Sequence, residues 1–159
     1  MTLIDLCTIV ITDGGHTAAK MRGNGRNACV PRAIAIALDL DYRETHEALE
    51  AAQQEWATTG RTSKAKRRAT GKTIAQEGVH KPVYTAFLAE RGWHHASLME
   101  VGKQRDRNPR FVDLPTSGTI IANVSKHLAA VIDGVIHDTH DPTRGGRRTV
   151  YGYWIKGGN

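Results

Sequence analysis

Cysteine, acidic residues and long apolar runs are all scarce in this chain, and each scarcity excludes something. The 159 residues contain two cysteines, Cys7 and Cys29, too few for a disulfide framework and without the spacing of a metal knuckle. No apolar run approaches the ~20 residues needed to span a bilayer, so no membrane association is expected. The opening stretch MTLIDLCTIVITDGG has an acidic residue inside its apolar run and no basic segment ahead of it. It reads as a strand rather than a secretory signal, which points to a cytoplasmic protein. Aromatic residues make up only 6% of the chain, and none is interleaved with its basic runs as a base-stacking platform; nucleic-acid binding is therefore not expected.

Acidic residues number 16 against 22 lysines and arginines, a net charge of +6. The imbalance is local. Residues 60–72, GRTSKAKRRATGK, hold six basic side chains and no acid, and their low apolar content predicts an exposed basic loop. Such a loop suits docking of an acidic partner or substrate. KQRDRNPR at 103–110 and RGGRR at 144–148 are smaller patches read as connecting loops.

What is present is an ordinary globular balance, 40% apolar and 24% charged, in a length that suits one domain, residues 1–159, with one core. Residues 2–12 predict a first strand, and the glycine- and asparagine-rich stretch 16–29 a loop. From Val30 the pattern VPRAIAIAL is apolar on every side, with Pro31 suited to the first helical position, so a buried helix is predicted. An amphipathic helix follows over 41–57 and another over 81–92, closed by Gly92. Strands are predicted around WHHASLMEV, at 116–125 and at 148–156, with a hairpin between the last two. Helices first and antiparallel strands last, without βαβ alternation, give the α+β class.

The hairpin, SKHLAAVIDGVIHDTHDP at 125–142, carries three histidines and three aspartates. Asp133-Gly134 suits a two-residue type I′ turn, which pairs Ile132 with Val135 and sets Ala129 opposite Asp138 and His127 opposite His140. His127, Asp138 and His140 then share a face. Asp138 is the diagonal neighbour of His127, roughly 7–8 Å away at the backbone, within reach of a carboxylate–imidazole contact.

Cys29 stands immediately before Val30-Pro31 at the head of the buried helix. Free N–H groups and the positive end of the helix dipole favour a thiolate there. With His127 as base and Asp138 as the group that fixes its tautomer, the set nucleophile, base, orienter is complete, as acyl transfer requires. Cys7, inside an apolar run, reads as a small buried hydrophobe.

NACVPRAIAIAL, followed far downstream by TIIANVSKHLAAVIDGVIHDTHD and VYGYW, resembles the small papain-like cysteine peptidases of bacterial and bacteriophage genomes, relatives of the leader-cleaving peptidase domains of bacteriocin exporters. The resemblance covers about 24–155 in outline and is dense around Cys29 and across 116–154. It implies a papain-like fold with a buried central helix packed on a C-terminal antiparallel sheet. It implies a protein or peptide substrate, no cofactor and, for a phage protein, the host cytoplasm as its location. Cys29 matches the nucleophile, His127 the base and Asp138 the orienting residue. Many papain-like enzymes place an oxyanion-donating glutamine six residues before the cysteine; here that position is Gly23. Asn24 or Asn27 is the candidate amide donor, aided by the Cys29 N–H. Asp141, in an Asp-Pro pair of the kind related domains use, is the rival orienter, although regular hairpin parity turns it away from His127.

Two other readings compete. His127, Asp138 and His140 have the donor types for a zinc site with an open position, but that leaves the placement of Cys29 unexplained. His94 and His95 are adjacent in a strand and point to opposite faces, so they cannot chelate together. A basic binding module without catalysis rests on 60–72 alone. Within the thiol reading, peptidases, deamidases and transglutaminase-like enzymes share the thioester step, and hydrolysis of a peptide or isopeptide bond is the first choice.

Overall fold

The computed structural model describes residues 7–21, 25–60, 72–99 and 107–157. Helix α1 spans Cys29–Leu38 and starts two residues earlier than Pro31 suggests. Pro31 is tolerated because the first N–H groups of a helix have no intrahelical acceptor. Asp39, in the left-handed region at φ 53°, ends the helix by donating its N–H to Ala35 and Ile36 carbonyls.

Helix α2, Tyr42–Thr59, is capped by the Asp41 carboxylate, which accepts the Glu44 N–H at 3.0 Å. Its buried stripe, Tyr42, Thr45, Leu49, Gln53 and Ala57, has the spacing of one helix face. A four-residue helix not foreseen from the sequence, α3 at Ile74–Glu77, opens on a Thr73–Gln76 capping box. Helix α4, Lys81–Glu90, carries Pro82 in its first turn and ends just ahead of Gly92.

The strands are β1 Ile9–Ile11, β2 Trp93–Ser97, β3 Thr119–Val124, β4 His127–Ile132, β5 Val135–Asp138 and β6 Gly152–Lys156. They form one six-stranded sheet in the order β1-β5-β4-β3-β6-β2. Asp133 and Gly134 both have positive φ, 49° and 79°, as a type I′ turn requires, and the β4–β5 register pairs Ile132 with Val135 and Ala130 with His137 as expected. The sheet is mostly antiparallel. The expected C-terminal antiparallel sheet is extended by β1, which runs parallel to β5, with Ile9 opposite Ile136. No hairpin links these two strands, so no turn dictates their direction. β1 is also shorter than 2–12, and residues 1–6 lie outside the described part.

A single core is not what forms. β3 is an almost unbroken apolar run, TIIANV, and buries both of its faces. Ile121 joins Ile34, Leu49, Leu88, Leu128 and Trp154 under the helices. Ile120 and Ala122 point the other way and pack with Val131, Ile136, Phe111, Leu114 and Val150. Cys7 is half-buried against this second cluster. The α1–β3–β4 contact holds the head of α1 against the start of β4, which fixes the site described next.

Candidate functional site

Three elements converge on one point. Cys29 is the first residue of α1, His127 the first of β4 after the Ser125-Lys126 turn, and Asp138 the last of β5. The β3–β4 register, with Val124 opposite His127, sets the imidazole at the mouth of the sheet. Its Nε2 lies 2.6 Å from Asp138 Oδ2, and the ring also hydrogen-bonds the Cys29 side chain. With Nε2 taken by the carboxylate, Nδ1 is the nitrogen left for sulfur. The Leu128 N–H donates to the sulfur as well.

Asp138 is fully buried. Its Oδ1 accepts the Thr139 N–H at 2.7 Å and lies 2.9 Å from an Arg32 guanidinium nitrogen. Arg32 is itself only 6% exposed. Burial pushes the Asp138 carboxyl up, but the His127 bond, the His127 and Arg32 charges and the Thr139 N–H outweigh it and hold it below the ordinary carboxylate value. Burial likewise raises the Cys29 thiol, and the His127 bond and charge, the Leu128 N–H and the Arg32 charge bring it below the usual thiol value. For His127, burial acts downward, yet bonds to Asp138 and Cys29 and their charges push it up to about 9. All three shifts favour a thiolate beside an imidazolium.

The pair opens onto a cleft of about 780 Å³, bounded by Asn27, Tyr84, His80, Lys126 and His140. Tyr84, on α4, packs edge-on to Trp154 at 6.2 Å; burial raises its phenol, with the Cys29 charge adding to the effect. His80 Nε2 lies 3.4 Å from a Glu77 carboxylate oxygen, and both residues line the cleft.

Among the expected helpers the outcome is mixed. The two amide hydrogens of Asn27 are engaged with the Ala75 and Gln76 carbonyls at 3.2 and 3.0 Å, tying α3 to the loop before the nucleophile. They are not directed at an oxyanion. Gly23 and Asn24 lie outside the described residues. The Cys29 N–H, at the first helical position of α1, has no intrahelical acceptor. Asp141 accepts the Thr143 N–H and hydroxyl at 2.8 and 2.6 Å and caps the turn that follows the hairpin, so the carboxylate brought to His127 is Asp138.

His140 does approach: its ring centroid is 5.4 Å from that of His127, and ligand atoms of His127, Asp138 and His140 lie within 4.8 Å of one another. The donor set fits a metal poorly. Both Asp138 oxygens are already bonded, and a buried guanidinium beside a dication is electrostatically unfavourable. His95 instead contacts Asn123 Nδ2 at 3.4 Å and the Trp154 ring, and neither it nor His94 joins a three-donor cluster among the described residues.

Compared with known proteins, the chain matches no family model, no curated protein and no solved structure.

Arg32 was not anticipated as part of the site. The signal was present, since a lone charge in the apolar helix VPRAIAIAL must find a buried partner. Of the basic stretches, 61–71 and 103–106 lie outside the described residues. Arg107 is bound to Asp113 at 2.7 Å, and Arg148 donates to the Pro142 and Ser125 carbonyls, so these arginines are structural ties rather than free charge. No helix among the described residues is long and apolar enough to cross a membrane.

Proposed function

We propose that this chain is a papain-like thiol hydrolase that cleaves a peptide or isopeptide bond of a protein or peptide substrate. The observation that carries the reading is the meeting of Cys29 and His127 at one cleft with Asp138 buried behind the ring, the imidazole being bonded to both the sulfur and the carboxylate. A metal hydrolase reading has no comparable support, because Arg32 already neutralises the would-be carboxylate ligand.

The chemistry balances with these groups alone. The Cys29 thiolate adds to the scissile carbonyl carbon, forming a C–S bond and an oxyanion near the Cys29 N–H. Collapse of the oxyanion expels the amine, which takes the proton held by the His127 imidazolium, and a thioester remains. Water, deprotonated by the now neutral His127, adds to the thioester. The C–S bond breaks, releasing a carboxylic acid, and the thiolate–imidazolium pair is restored. Asp138 keeps the Nδ1 edge of the ring turned to the sulfur throughout.

The test is hydrolysis of a mixed peptide library read by mass spectrometry. Cys29→Ala and His127→Ala are expected to abolish cleavage with folding intact, and a chelator to leave it unchanged. Full activity in Cys29→Ala, or loss of activity to the chelator, would overturn the proposal.

A further inference from the structure

Arg32 is one helical turn beyond Cys29 on α1 and almost wholly buried. Its guanidinium meets the Asp138 oxygen that His127 does not use, so the carboxylate is bracketed, Oδ1 by Arg32 and the Thr139 N–H, Oδ2 by His127. The stem of Arg32 is fixed from the other side. Gly14 lies against it so closely that a Cβ there would sit 2.9 Å from Arg32 Cγ, and Gly14 has φ +68°. A buried, unpaired cation would be costly, and so would a buried carboxylate with only a neutral imidazole for company.

Resting on the reading of Cys29 as nucleophile, we propose that Arg32 is a positioning residue that balances the buried charge of the site, so that the Cys29 thiolate and His127 imidazolium form as a neutral set with Asp138 and Arg32. With Arg32 present, ionising the sulfur toward His127 leaves two positive and two negative groups. Without it the set carries one excess negative charge both before and after that transfer, and protonating the sulfur relieves the excess, so the thiolate is lost at higher pH. The consequence is that Arg32 extends the thiolate to lower pH through the charge balance of the site. It also holds the carboxylate plane so that Oδ2 faces Nε2, which a point-charge lysine does less strictly.

Other ionisable groups surround the site, and of these Tyr42 also feels the Arg32 charge. Tyr42 on α2 is pushed up to about 12 by burial, with Arg32 opposing, and Tyr84 on α4 is raised by burial. Asp13, in the loop ahead of α1, is lowered to about 2 by its bonds to Thr17 and Gly15. His140 lies beside His127, and Arg148 stands near Asp138.

The test is the pH dependence of Cys29 alkylation by iodoacetamide, followed by intact mass, in the wild type, Arg32→Lys and Arg32→Gln. Gln keeps an N–H donor on the side chain and removes the charge. The wild type is expected to keep reacting well below the ordinary thiol range, with Arg32→Lys following it closely. Arg32→Gln is expected to shift the acid limb upward by about one pH unit, so that its rate at pH values below both limbs falls about tenfold. Should Arg32→Gln fail to fold, the double variant Arg32→Gln/Asp138→Asn is expected to recover folding, because the uncompensated carboxylate is then gone. An Arg32→Gln profile superimposed on a depressed wild-type profile, or absence of rescue by Asp138→Asn, overturns the role of Arg32 alone. A wild-type Cys29 that titrates like an ordinary thiol overturns the nucleophile reading, and this proposal with it.

Discussion

At the scale of single residues, the imidazole is the hinge of the site, because His127 bonds the sulfur on one edge and the carboxylate on the other. Replacing His127 with Ala leaves Cys29 with the burial that raises its pKa and without the largest effect that lowers it. Alkylation of Cys29 at pH 6 is expected to slow at least tenfold, a change that rate measurements by intact mass resolve. Asp138→Ala is expected to lower activity less than Cys29→Ala does, because the remaining pair still works imperfectly. It also strands Arg32, which is expected to cost about 3–5 kcal/mol of stability in urea unfolding.

The pH dependence of stability carries an opposing pair. The folded pKa of His127 is raised from 6.5 to about 9, so its contribution is fully present below 6.5 and lost as pH rises toward 9. Cys29 is lowered, and its contribution grows over the same window, since the unfolded thiol binds more protons than the folded one. The two offset each other in the wild type. Cys29→Ala removes the second together with its own share of the His127 shift, and the share that Asp138 supplies remains, so its unfolding free energy is expected to fall between pH 6.5 and 9 while the wild type stays flatter. Denaturant titrations at both pH values distinguish these slopes.

Elements show which parts of the molecule local chemistry could dictate. The hairpin was legible in the sequence because Asp133-Gly134 fixes both turn and register, and the register decides that Asp138 rather than Asp141 reaches His127. Helix α1 was legible from its all-round apolar pattern. Helix α3 was not, because its four residues are held by distant groups: Glu50 accepts the Ile74 N–H at 2.8 Å, and Asn27 binds its carbonyls. That engagement of Asn27 was equally invisible from its neighbours in the chain. The direction of β1 depends on a partner more than a hundred residues away, which no local pattern specifies. Arg32 was legible in principle, as a charge in an apolar helix.

Two glycines separate backbone strain from crowding. A Cβ at Gly134 would have ordinary contacts near 3.7 Å with Thr116, and only its φ of +79° resists substitution, so Gly134→Ala is expected to cost about 1 kcal/mol. At Gly152 a Cβ would lie 2.5 Å from the Ala96 carbonyl oxygen and 2.6 Å from His95 Cε1. The β2–β6 pairing must part to admit it. Gly152→Ala is expected to destabilise the protein more than Gly134→Ala, with thermal unfolding as the comparison.

On the scale of the whole molecule, a sheet covered on both faces gives the site its rigidity. Ile121, fully buried at the helix-facing centre of β3, anchors the layer that holds α1 against β4. Ile121→Ala is expected to cost about 2–5 kcal/mol. The α1–sheet packing, more than any single hydrogen bond, determines that the sulfur and the imidazole meet.

The most direct test of that meeting is competitive labelling of the native protein with a peptide bearing a thiol-reactive electrophile, read by intact mass and peptide mapping. One adduct on Cys29 well ahead of Cys7, slowed in His127→Ala and absent in Cys29→Ala, is the expected result. Equal labelling of Cys7 and Cys29, or a Cys29 rate indifferent to the loss of His127, would contradict the account.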